Sequence, residues 1–290
     1  MTEGLSVMLP RKQTPVSSAP FHSWAAADGS PWMTFHRDGN GYLLRFPDLA
    51  DFRVTSDGSK TLCWPVPGID SVTQEHLFLN QVLPLIQSAR GELIFHASAV
   101  ECFGGAIAFL GMSGRGKSTL AASFAISGAR FLTDDSFKLE RTADGYNVIP
   151  SHPSIRMWDD TQEALRTDLM SKAAPVQYTE KARVFAGSDL PFCNETRPLI
   201  AAFFLGENET DKTVFHRLKG ADALASWMSN MFVIDVTDRK RIRQNLDVVA
   251  EIAETVPSIA LNYPRRYEKL VDVRAAILAE TDGLKGSICC

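Results

Sequence analysis

Gly111-Met112-Ser113-Gly114-Arg115-Gly116-Lys117-Ser118 decides the fold. The octet satisfies G-x-x-x-x-G-K-[ST] at every fixed position. Chance alone places that bare pattern in roughly one chain of this length in a hundred, and the flanking sequence narrows it further. An apolar run at 106–110 enters the loop as a strand. An alanine-rich segment at 118–126 leaves it as a helix that stops at Gly128. Glycines let such a loop curl until several backbone N–H groups converge on one anion. The helix behind adds its positive end to the same point. Lys117 is then placed to reach β- and γ-phosphates, and the Ser118 hydroxyl to ligate Mg²⁺. Gly111, Ser113, Gly114, Arg115, Gly116, Lys117, Ser118 and the following Thr119 are the expected nucleotide-binding residues.

Downstream, Asp134-Asp135 closes an apolar stretch at 130–133. The spacing leaves room for one helix, a turn and a strand that returns beside the first. Both carboxylates would then stand at the end of the sheet that carries the loop. One can hold Mg²⁺ through water while the other accepts the proton of an incoming hydroxyl. Two adjacent acids also raise one pKa by repulsion. Aspartate is common in turns and helix caps as well, which is the plainer reading of the pair. Upstream, His96 lies in a strand candidate at 93–100. If that strand pairs with 106–110 through the Gly104-Gly105 turn, His96 stands near the nucleotide; otherwise it is a satisfied core histidine.

The remainder divides into regions. Residues 1–22 mix Pro, Ser, Thr and charge and read as a flexible N-terminus. Residues 23–90 read as a small β-rich module: strands at 32–36, 42–46, 52–55 and 61–66, then an amphipathic helix at 74–89 that Pro84 should kink. Residues 91–285 form the main domain. There, Asp144-Gly145 marks a hairpin. Helices are expected at 161–169, 221–232, 239–255 and 267–280, and strands at 199–205, 213–217 and 258–261.

A chain of 290 residues with 45% hydrophobic and 22% charged residues is an ordinary globular composition. A net charge of −4 disfavours nucleic acid as a partner. No apolar run is long enough to span a bilayer, and no secretory signal is visible, so no membrane partner and a cytoplasmic location are expected. Cys63, Cys102, Cys193, Cys289 and Cys290 lack zinc spacing and suit a reducing compartment.

Three motifs in this order, His96-Ala97-Ser98-Ala99-Val100, the loop 111–118 and Phe131-Leu132-Thr133-Asp134-Asp135, resemble the catalytic domain of the HPr kinase/phosphorylase family. The resemblance implies an α/β P-loop domain of the HPr kinase / phosphoenolpyruvate carboxykinase type, here behind the β-rich module. It implies ATP and Mg²⁺ as cofactors. Asp134 would be the general base, Asp135 with Ser118 would serve the metal, and His96 would tune the site. Where that family carries a glycine-rich second signature, this sequence has Ser154-Ile155-Arg156-Met157-Trp158. The layout is closer to the HPr-kinase-like proteins of lasso-peptide biosynthesis, members of which phosphorylate a serine of a precursor peptide. A peptide or protein substrate bearing a serine is therefore the expected partner, with room for a homo-oligomer.

Several basic residues read two ways. Arg156 suits neutralisation of a transferring phosphoryl group or a surface ion pair, and Lys181 and Arg183 share that balance. Arg265-Arg266 stands at a strand-to-helix junction where it could meet a phosphate or carboxylate. Arg239-Lys240-Arg241 with Arg243 reads as a solvated helix face. Trp158, Trp227 and Phe232 read as core. Besides the peptide kinase, a small-molecule hydroxyl kinase and a non-catalytic nucleotide-sensing regulator remain as alternatives.

Overall fold

The computed structural model describes residues 4–26, 28–167 and 170–288. Cys289 and Cys290, and residues 168–169 of the helix expected at 161–169, lie outside them. Two compact units emerge. The first takes the chain through Glu92 together with Pro175–Thr179 and Phe232–Ile242; the second takes Leu93–Ala174, Glu180–Met231 and the chain from Arg243 onward.

The first unit is a six-stranded sheet. Its strands are β1 (Leu5–Val7), β2 (His22–Ala25), β3 (Pro31–Asp38), β4 (Gly41–Phe46), β5 (Ala50–Thr55) and β6 (Thr61–Pro65), in the order β1-β6-β5-β4-β3-β2. The meander read from the sequence is β3–β6. The two outer strands are additions, and β1 falls inside the stretch expected to be loose, where it pairs in parallel with β6. Alternation builds the core: Met33, Phe35, Leu44, Phe46, Phe52, Val54 and Cys63 are buried. The helix expected at 74–89 is a single helical run in three pieces. These are α1 (Ser71–Leu77), capped by Asp70 through the Thr73 N–H at 2.6 Å, a π-helical turn Phe78–Val82, and α2 (Leu83–Ala89). Pro84 cannot donate to the turn before it, and the ladder widens there.

The second unit is built on a nine-stranded sheet. β7 (Leu93–Phe95) and β8 (Ala97–Cys102) are separated at His96, so the single strand expected at 93–100 is two strands that serve different partners. β8 turns through Phe103-Gly104, both at positive φ, into β9 (Gly105–Leu110). α3 (Lys117–Ile126) follows, then β10 (Phe131–Thr133), β11 (Phe137–Thr142), β12 (Gly145–Ile149), β13 (Ser154–Met157), α4 (Asp159–Ala164), β14 (Ala182–Phe185) and β15 (Arg197–Leu205). The chain closes with β16 (Val214–Leu218), α5 (Gly220–Ser229), α6 (Arg239–Thr255), β17 (Ser258–Asn262) and α7 (Leu270–Ile288). β15 runs parallel to both β9 and β17.

β9 is apolar on both faces because both are covered. Ile107 and Phe109 join the core that holds Leu120, Phe124, Val273 and Ile277, from α3 and α7. Ala106, Ala108 and Leu110 join the core that holds Trp227, Val249 and Ile252, from α5 and α6. Each large side chain buried this way contributes roughly 1.5–3 kcal/mol. β10 does not return beside β9. It pairs with β8, which lies between them. β8 is antiparallel to both neighbours, so β9 and β10 still point the same way and end at the same edge. Trp227 and Phe232 are buried, as expected, but Trp158 is 45% exposed. Its place after the last residue of β13 carries it out of the core.

Candidate functional site

Residues 111–116 connect β9 to α3, and Lys117 is the first residue of the helix. The first glycine is tied from outside: the Gly111 N–H donates to Asn230 Oδ1 at 2.9 Å. Asn230 also accepts the His96 N–H on its backbone oxygen at 2.7 Å. One residue at the end of α5 thus fixes both the loop and the break between β7 and β8. Gly116 has φ +94, and a Cβ there would lie 2.3 Å from the Tyr263 hydroxyl. Backbone conformation and that close approach both demand glycine. The Tyr263 hydroxyl donates to the Arg115 carbonyl at 3.0 Å and closes the loop from the β17 side. Burial pushes its pKa up to about 12, so it stays a donor.

Lys117 is buried. Its ammonium donates to the carbonyls of Gly111 at 2.7 Å and Met112 at 3.1 Å. Neutral carbonyls do not repay the desolvation of an ammonium, and burial draws its pKa down to about 8.

The acidic pair diverges. Asp135 has φ +64, a conformation aspartate tolerates better than most residues, and this turn sends the two carboxylates in different directions. Asp134 Oδ1 accepts from the hydroxyls of Ser118 at 2.8 Å and Ser98 at 2.6 Å, and its Oδ2 accepts the Arg156 N–H at 2.9 Å. Burial and the neighbouring Asp135 raise its pKa, against those three hydrogen bonds. Asp135 lines the cavity and pairs with Arg156 Nη1 at 3.0 Å. Burial opposes its ionisation, but the Arg156 guanidinium outweighs burial and holds the carboxyl below the ordinary range. His96 lines the same cavity. Burial, reinforced by the Lys117 charge, lowers its pKa to about 4, which keeps the ring neutral near pH 7.

Ser113, Gly114, Gly116, Lys117, Ser118 and Thr119 share this one cavity with His96, Asp135 and Arg156. Gly111 and Arg115 support the loop from behind, Arg115 through an ion pair with Glu207 at 3.1 Å. Met157, Trp158, Asp160, Thr161, Lys181, Tyr263, Arg265, Arg266, Tyr267 and Leu270 complete the lining. Asp134 is not part of the lining. Its carboxylate meets the cavity through Ser118, which is part of the lining. Sequence reading assigned no role to Ser98, Asn230 or Tyr263. Ser98 sits inside the His96–Val100 motif, where its alternation with the buried alanines is the available signal. Asn230 carries none. Arg239, Lys240 and Arg243 are exposed, in keeping with a solvated face.

A glycine-rich loop, a buried ammonium whose hydrogen bonds go to carbonyls and a helix start together suit an anion. The cavity's fit to a nucleotide's phosphates rests on Lys117, whose hydrogen-bond partners are carbonyls that phosphate oxygens can replace. Its fit to Mg²⁺ rests on the Ser118 hydroxyl, which is backed by a carboxylate. Among the described residues no three His, Cys, Asp or Glu side chains form a metal cluster. A magnesium ion there would thus take most of its ligands from phosphates and water.

No family model matches the chain, and no curated protein matches it. Among solved structures it is similar to the HPr(Ser) kinase/phosphatase from Coxiella burnetii, at 10% identity and a TM-score of 0.35, over 67% of this chain and 98% of that one. That likeness is distant. No described helix is long and apolar enough to cross a membrane.

Proposed function

We propose that the chain is an ATP- and Mg²⁺-dependent phosphotransferase that moves a γ-phosphoryl group to a hydroxyl, with a serine of a peptide or protein as the leading acceptor. The observation that carries this reading is the meeting, in one cavity, of the glycine-rich loop with Lys117 and the Asp135–Arg156 pair. The loop N–H groups and Lys117 hold the phosphates. Ser118, oriented by Asp134, would hold the metal, which when bound would supply charge neutralisation to the phosphates. Asp135 orients the acceptor hydroxyl and takes its proton. A carboxylate of low pKa serves this role when the proton moves late, after the phosphorus–oxygen bond has begun to form. Arg156 keeps Asp135 ionised and aimed. Neutral His96 offers a hydrogen bond beside them without adding charge.

The acceptor assignment rests on the resemblance to HPr-kinase-like proteins and extends to a lasso-peptide precursor. The test is mass spectrometry of a serine-ending precursor-type peptide, an HPr-type protein and a small-molecule pool, each incubated with Mg²⁺ and ATP. Phosphorylated peptide or protein supports the reading, and phosphorylation confined to the small-molecule pool replaces its acceptor. Nucleotide binding with no transfer favours the nucleotide-sensing regulator. The engagement of Asp134 by Ser98 and Ser118, away from the cavity, is the observation on that side.

A further inference from the structure

Lys181 is a lining cation that, like Arg265 and Arg266, has no role in the transfer proposed so far. It immediately precedes β14, whose register with β13 sets Arg183 opposite Arg156 and Ala182 opposite Met157. Continued by one step, the register brings Lys181 to Trp158, and the Lys181 ammonium lies 5.2 Å from the Trp158 ring centroid. Both residues line the cavity with Lys117, Asp135 and Arg156. Trp158 is 45% exposed, an indole kept at the cavity surface, whereas Trp227 is wholly buried. The Lys181 charge is felt by His96, Lys117 and Asp135, lowering the pKa of each.

We propose that Lys181 is a further catalytic residue, a cation carried on the β13–β14 pair that meets the transferring phosphoryl group, and that Trp158 is the residue that positions it. This rests on the phosphotransferase reading and extends it. Arg156 Nη1 is already given to Asp135, so the guanidinium serves the carboxylate first. An ammonium on a flexible stem has three rotatable donors and can follow a moving group. Contact with an aromatic face steadies the stem without neutralising the charge. In the transfer, the acceptor oxygen bonds to the γ-phosphorus as the bond from that phosphorus to the β–γ bridging oxygen breaks. The electron pair of the broken bond leaves with the nucleoside diphosphate, and the hydroxyl proton passes to Asp135. Lys181 keeps its own protons and donates hydrogen bonds to the non-bridging oxygens, where charge concentrates.

The test compares wild type with Lys181→Met, Lys181→Arg, Trp158→Leu and Trp158→Phe in the full chain. Affinity is measured for MgADP alone and for MgADP with aluminium fluoride, a mimic of the phosphoryl group in flight. Lys181→Met should bind MgADP within about 3-fold of wild type but lose on the order of 100-fold of the tightening by aluminium fluoride. Lys181→Arg should keep part of the tightening. Trp158→Leu should lose about 10-fold and Trp158→Phe very little. The His96 ring should titrate higher in Lys181→Met, a nuclear magnetic resonance signature independent of turnover. If wild type binds no MgADP, the phosphotransferase reading falls and takes this proposal with it. If wild type binds and tightens and Lys181→Met tightens equally, Lys181 is not catalytic, while the reading stands.

Discussion

Lys117 and Asp135 line one cavity, both are buried, and they are held in opposite ways. Lys117 rests on two carbonyl oxygens, and burial has drawn its pKa to about 8. Asp135 rests on a guanidinium that keeps it ionised against burial. The first arrangement leaves an ammonium on neutral carbonyls, which an anion's oxygens would replace with gain. The second is complete without a ligand, so the carboxylate is already aimed. The proposed transfer, which captures a polyphosphate and then receives a proton, would use both.

The comparison breaks most readily at Arg156. Arg156→Met leaves a buried carboxylate without its cation and should cost about 3–5 kcal/mol of stability, read by urea unfolding. Adding Asp135→Asn should return much of that loss. Lys117→Met should do the reverse. Stability should hold or rise, because a poorly compensated buried charge is gone, while the phosphoryl-transfer rate falls about 10²–10³-fold. Equal destabilisation by the two variants would erase the distinction between the walls.

His96 sharpens the picture through pH. Its folded pKa, about 4, lies below its unfolded value near 6.5. As pH falls through that window the unfolded chain takes up a proton and the folded chain does not, so stability falls with pH by roughly 3 kcal/mol. His96→Asn should flatten that slope, as followed by thermal melts at pH 4 to 7. Gly116→Ala should cost about 1–3 kcal/mol and open the loop, since the new Cβ meets Tyr263 at a strained φ. Tyr263→Phe in that background should relieve the collision and leave the φ cost, as read by nucleotide titration. The smallest effect is a proton count. A phosphate raises the pKa of Lys117, so nucleotide binding near pH 8–9 should take up less than one proton, measured by calorimetry in buffers of different ionisation enthalpy.

Much of this site was legible beforehand because its signals are local. The strand, the glycine loop and the helix 106–126 lie in one unbroken stretch, and each glycine answers to its own backbone. Where Asp134 and Asp135 point was not legible, because a single positive φ at Asp135 decides it and aspartate does not require that conformation. The placement of β10 beyond β8 depends on pairing that spacing leaves open. Asn230 is joined to Gly111 only by tertiary folding, more than a hundred residues away. The π-helical turn before Pro84 was legible as an interruption, though not as that kind of interruption. β1 was hidden because it is only three residues long and mostly exposed, too short for an alternation to show.

The most direct measurement is single-turnover transfer from MgATP to a serine-bearing peptide, with nucleotide affinity measured alongside, in Asp134→Asn and Asp135→Asn. Asp135→Asn should keep its affinity for MgATP and lose transfer by about 10²–10⁴-fold, whereas Asp134→Asn should weaken magnesium-dependent nucleotide binding. Transfer retained in Asp135→Asn, and abolished in an Asp134→Asn protein that still binds MgATP normally, would contradict the roles assigned to the two carboxylates.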